Sequence, residues 1–141
     1  MRILIDIGHP AHVHYFKLMK KEMELNGFKF LVIAKNKNVT YDLLDYYSIK
    51  YVKRNDYPKS ILLKILKIFT TDLKVIYYAI KFKPDLMIGF AGTHIAHAGF
   101  ILNIPRVVVD DTEHAKLSHA AYKSFASHIL TPNCFEKNFG K

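Results

Sequence analysis

Imidazoles and carboxylates recur in three short segments of this chain: GHPAHVH at residues 8–14, AGTHIAH at 91–97 and DDTEHA at 110–115. Six of the eight histidines lie in them: His9, His12, His14, His94, His97 and His114. Such groups transfer protons near neutral pH, and a histidine beside a helix N-terminus is biased to its neutral form, ready to act as a base. Zinc binding is the competing chemistry, with His12, His14 and either Asp111 or His114 as ligands. Residues two apart on a helix face away from each other, so His12 and His14 could chelate together only in an extended segment, and no metal site is expected. Asp110 and Asp111 are the residue types that either accept hydrogen bonds from the free amides of a following helix or take part in a proton relay. Gly92 and Thr93 open a helix whose amides could cradle an anion or hydroxyl beside His94, and a plain turn with a Thr cap fits the same residues equally well. Neither GxGxxG nor GxxxxGK[ST] occurs, so no dinucleotide cofactor is expected.

These segments matter only if the fold brings them together. The apolar run Ile3 to Ile7 predicts a buried strand. Val13 to Leu25, with Phe16, Met19 and Met23 at helical spacing, predicts a helix stopped at Asn26-Gly27. Strands follow at Phe28 to Ala34, Lys50 to Lys53, Leu86 to Phe90, Arg106 to Asp110 and His128 to Thr131. The helices between them are a short one in NVTYDLLDYY, a long one from Ser60 to Phe82, one from Gly92-Thr93 to before Asn103, and one from Glu113 to Ser124. In the long helix the period sets Ile61, Ile65, Phe69, Leu73, Ile76 and Ile80 inward and Lys64, Lys67, Lys74 and Lys81 outward. Thr70-Thr71-Asp72 is a potential divider within it. Strict βα alternation with near-continuous apolar strands predicts an α/β fold, a Rossmann-like doubly wound parallel sheet of six strands with right-handed crossovers. Ligands of such sheets sit at the carboxyl ends of the strands near the switch point, where the three histidine-bearing loops would converge.

The 141 residues are expected to form a single domain. The net charge of +9 raises nucleic acid as a partner, but 18 lysines spread along the chain against 3 arginines lack the guanidinium forks of phosphate or base recognition. The lysines of the long helix could touch an anionic membrane surface, although a solvated face is the commoner arrangement. The one cysteine, Cys134, permits no internal disulfide. No cleavable leader or membrane span is read from the sequence, and a cytoplasmic location is expected.

ILIDIGHPAHVHYFKLM, KPDLMIGF, IPRVVVDDTEHAKL and ILTPNCFEKNFGK together resemble the N-terminal portion of an archaeal and bacterial family, domain of unknown function 354. That resemblance implies one half of the two-domain GT-B architecture of nucleotide-sugar enzymes. In peptidoglycan N-acetylglucosamine transferases a loop histidine follows the first strand, and His12 most nearly matches it. In UDP-N-acetylglucosamine 2-epimerases acids follow the fourth and fifth strands; Glu113 roughly matches the second, and FAGTH has no carboxylate at the first. The resemblance therefore implies the acceptor-side half of a glycosyltransferase, with the nucleotide-sugar donor held mostly by a second domain and no turnover by this half alone. His12 or His14 would be the base, with Asp111 and Glu113 orienting it or relaying a proton. His9, Gly92, Thr93, His94, Asp110 and His114 would bind a glycan or small-molecule acceptor. A non-catalytic ligand- or partner-binding module and an epimerase-like enzyme are the alternatives, and an isolated half would expose apolar surface for self-association.

Overall fold

The computed structural model describes residues 1–54, 61–136 and 139, with the side chains of 61–65 outside that description. Six strands, β1 (Arg2–Ile7), β2 (Lys29–Lys35), β3 (Tyr51–Arg54), β4 (Leu86–Phe90), β5 (Arg106–Val109) and β6 (His128–Leu130), alternate with five helices. These are α1 (Pro10–Leu25), α2 (Thr40–Tyr46), α3 (Ile61–Phe82), α4 (Thr93–Ile101) and α5 (Lys116–Tyr122). The sheet order is β3-β2-β1-β4-β5-β6, with every pairing parallel. β1 therefore lies between β2 and β4, and the chain leaves the two halves of the sheet in opposite directions there, opening a crevice at the carboxyl ends.

Alternation along β1 divides the core. Ile3, Ile5 and Ile7 pack with Val13, Phe16 and Leu44 beneath α1 and α2. Leu4 packs with Ile33, Val75, Ala79, Met87 and Ile95 beneath α3 and α4. A period of two puts Asp6 on the Leu4 side, so its carboxyl enters the sheet face that α3 and α4 cover. A third cluster of Ala96, Val108, Tyr122, Ala126 and Ile129 holds α5 and β6.

Three elements differ from their sequence reading. Helix α1 begins at Pro10 rather than Val13, because Pro suits the first helical turn and His9, in extended backbone, caps it by accepting the Ala11 amide at Nδ1 (3.3 Å). Helix α5 starts at Lys116, since Glu113 and His114 form a turn before it. Helix α3 runs unbroken through Thr70-Thr71-Asp72: both threonine hydroxyls donate back to the Lys67 carbonyl (3.1 and 2.7 Å), so they do not compete with the helix.

The inward face of α3 is also not the expected one. Thr71, Val75 and Ala79 are buried, Ile76 is partly buried, and Phe69, Leu73 and Ile80 are more than half exposed. Apolar residues occupy most of this helix's circumference, so period alone could not select a face. Thr71, Val75 and Ala79 form the buried face, and α3 packs chiefly against α4. The expected start at Ser60 and the placements of Ile61, Lys64 and Ile65 lie outside the described residues and side chains. Among the described residues no helix is long and apolar enough to cross a membrane.

Candidate functional site

His12 occupies the first turn of α1, directly over the carboxyl end of β1. Its ring stacks on Phe90 at the end of β4, with centroids 4.6 Å apart and planes 21° from parallel. Its Nδ1 accepts the Gly8 amide at 3.2 Å. Burial lowers its pKa to about 4; the carboxylates of Asp6 and Asp111 pull the other way, and His9 and Lys37 add to the lowering. The ring is thus neutral at physiological pH, and with Nδ1 accepting, its proton sits on Nε2. In this geometry His12 offers a ligand a hydrogen-bond donor, and it could take up a proton only by releasing Gly8. The His9 ring lies 5.9 Å from that of His12.

Two cavities flank Phe90. One, of about 480 Å³, is lined by Asp6, Gly8, Lys35, Arg54, Thr93 and His94 among others. The second, about 400 Å³, is lined by Tyr15, Phe16, Asp110, Asp111 and Thr131 among others. At the floor of the first, Arg54 Nη1 donates to Asp6 Oδ2 at 2.5 Å, with both side chains below one-tenth exposed. Gly8 lies beside this guanidinium, where a Cβ would be in ordinary contact with Arg54 Nη2 at 3.6 Å. Asp6 was legible only as one acid within an apolar strand, and Arg54 only as one of three arginines, placed at a strand end.

His94 and His97 share one face of α4 and both contact a single carboxylate in α3: His94 Nδ1 lies 2.6 Å from Asp72 Oδ1, and His97 Nδ1 2.8 Å from Asp72 Oδ2. His97 Nε2 reaches the Ala121 carbonyl at 2.9 Å. This cluster clamps α4 between α3 and α5. His94 still lines the first cavity, whereas His97 turns away from it. Asp72 was not singled out as a site residue, yet it is the only acid in α3. Gly92 is required by packing, because a Cβ would come within 2.6 Å of the Ile95 side chain. The Thr93 amide donates to the Ala91 carbonyl (2.8 Å), so it is not offered to an anion.

At the end of β5, Asp110 is a structural acid. Its Oδ1 accepts the Thr112 amide (2.9 Å), and its Oδ2 accepts the Tyr122 hydroxyl and faces His119 Nε2 (3.0 Å). Burial, with help from that carboxylate, raises the Tyr122 pKa. His119 and Tyr122 belong to the anchor, not to an open site; neither was singled out from the sequence. Asp111 is exposed and accepts the Thr112 hydroxyl at 3.0 Å. The Glu113 carboxylate accepts the Glu136 amide, which ties the turn to the C-terminal segment.

His12 sits on Phe90, which both cavities share, with His9 beside it, while His94 lines the first cavity and Asp111 the second; the other expected residues lie elsewhere. His14 lies on another face of α1, exposed and edge-on to Tyr47 at 5.9 Å, because α1 already includes both His12 and His14. His114 is exposed on the turn before α5. No three metal-ligating side chains converge among the described residues.

A family model described as protein of unknown function (DUF354) matches residues 1–139. The chain belongs to that family. It is 23% identical over 136 residues to an uncharacterized protein of Methanocaldococcus jannaschii, covering 96% of this chain and 40% of the relative. Among solved structures, the DUF354 chain is similar to MurG of Acinetobacter baumannii, with TM-score 0.75 and 18% identity over 97% of this chain and 43% of that one. It also resembles the UDP-GlcNAc 2-epimerase of M. jannaschii (TM-score 0.72, 12% identity, 94% and 40% covered). A third neighbour is the spinosyn rhamnosyltransferase SpnG (0.67, 11%, 89% and 39%). The fold is accordingly the Rossmann-like unit of GT-B proteins, and the chain spans about two-fifths of the length of these relatives.

Proposed function

We propose that this chain is the acceptor-side half of a GT-B-like glycosyltransferase that uses a nucleotide-sugar donor. The observation that carries the reading is the neutral His12, stacked on Phe90 at the switch point between β1 and β4, with the Asp111 carboxylate close enough to act on its pKa. An acceptor hydroxyl bound beside Phe90 would receive a hydrogen bond from His12 Nε2 and give up its proton to Asp111, which lines the cavity with Tyr15, as its oxygen bonds to the sugar carbon and the bond from that carbon to the donor's phosphate breaks, releasing the nucleotide. Aromatic walls suit the apolar faces of a sugar ring. His94, with Arg54 and Lys35 lining the neighbouring cavity, would hold further polar groups of the acceptor. His9 supports the loop as cap of α1, while Asp110 and Glu113 serve by fixing the segment that carries Asp111. His14 and His114 have no part in this reading. Asp111 replaces histidine as the proton acceptor, because the Gly8 amide occupies the only lone pair His12 has in its neutral form.

The test is turnover by the full-length protein with a panel of nucleotide sugars and glycan acceptors. Asp111→Ala should abolish transfer, and His12→Ala should raise the acceptor KM and lower kcat. Wild-type activity retained in both variants overturns the site assignment. Acceptor binding by the full-length protein with no transfer from any donor would favour the ligand-binding module, a reading the weak basicity of His12 also fits.

A further inference from the structure

The face of α3 turned away from the sheet is apolar. Leu66, Phe69, Leu73, Tyr77 and Ile80 are between 50% and 66% exposed and recur at three- and four-residue spacing, which makes one continuous stripe. Solvated faces of crossover helices are ordinarily polar, so a stripe of this length marks a contact surface. Lys67, Lys74 and Lys81 recur every seven residues along one flank of it, and the Lys81 ammonium sits 4.5 Å over the Tyr77 ring. Lys83 follows just beyond the helix. Asp72, the only acid in α3, is turned aside to His94 and His97, so the stripe carries no negative charge of its own.

We propose that this face docks on an anionic lipid surface, with the stripe entering the interface and the lysine row meeting phosphate headgroups. Lysine is suited to the flank, because its alkyl stem can lie along apolar surface while the ammonium reaches the phosphates. The charge pattern favours lipid over a second copy of the chain, since self-association through this face would set lysine-flanked, acid-free surfaces against each other with no compensating carboxylate. The proposal does not depend on the transferase reading.

Sedimentation with vesicles tests it. The chain should pellet with phosphatidylcholine vesicles containing phosphatidylglycerol, stay in solution with phosphatidylcholine alone, and be released by raised salt. Lys67→Gln, Lys74→Gln and Lys81→Gln should each weaken the partition about fivefold. Leu73→Asp should abolish it while leaving the melting temperature unchanged, as the side chain is exposed. Leu25→Asp, exposed at the far end of α1, should bind like wild type. Failure to pellet with anionic vesicles overturns the proposal, as does binding indifferent to the lysine and Leu73 changes. Sedimentation velocity showing a dimer that Leu73→Asp dissociates, with no vesicle binding, would assign the face to a second copy and overturn it equally.

Discussion

Removing either partner of the Asp6–Arg54 pair should cost far more than removing both. The two side chains are 5% and 7% exposed and joined at 2.5 Å, and Asp6 Oδ1 and Arg54 Nε have no hydrogen-bond partner among the described residues. Breaking a buried pair leaves an uncompensated charge and costs about 3–5 kcal/mol, whereas replacing both members by apolar residues is often near neutral. Arg54→Met should therefore destabilise by about 3–5 kcal/mol. Asp6→Leu should cost less, because the guanidinium lines the cavity and can recruit water once released. The double variant should fall within about 1 kcal/mol of wild type, which gives a coupling energy of at least about 3 kcal/mol. Urea unfolding at neutral pH, with m-values compared, measures all four corners of the cycle. Additive single effects, or a coupling below about 1 kcal/mol, would refute the argument that each of these buried charges is compensated chiefly by the other.

His12, followed by its ring proton resonances, should titrate near pH 4. Because the folded value lies below the unfolded one, the associated stability is complete above about pH 6.5 and is lost as pH falls toward 4; about 2 kcal/mol is expected for a half-buried ring, and His12→Gln should remove that dependence. Gly92→Ala should lower stability by about 1–3 kcal/mol, read as a shift in the urea midpoint, because its methyl would come within 2.6 Å of the fully buried Ile95. Tyr122→Phe should cost about 1–3 kcal/mol by taking one hydrogen-bond partner from the buried Asp110, and an unchanged midpoint would show that His119 satisfies that carboxylate alone.

The sequence by itself determined the architecture. Apolar strand runs, helical periods and the Asn26-Gly27 stop are local signals, and a parallel sheet of alternating βα units has few topologies, so six strands and the place of the crevice followed from pattern. It also located His12 and Asp111 just beyond the ends of β1 and β5, because unusual residues at strand ends are visible without coordinates. What only the tertiary structure decided was which groups remain available to a ligand. Asp110 is committed to Tyr122 and His119, Glu113 to Glu136, and His97 to Asp72 and Ala121, and each of these partners is distant in sequence or on another element. His14 was lost to the crevice because a proline moved the helix start by three residues. The exposed stripe of α3 followed from packing: where apolar residues surround a helix, the face that packs is chosen by the elements the fold sets against it, here chiefly α4, and no period encodes that.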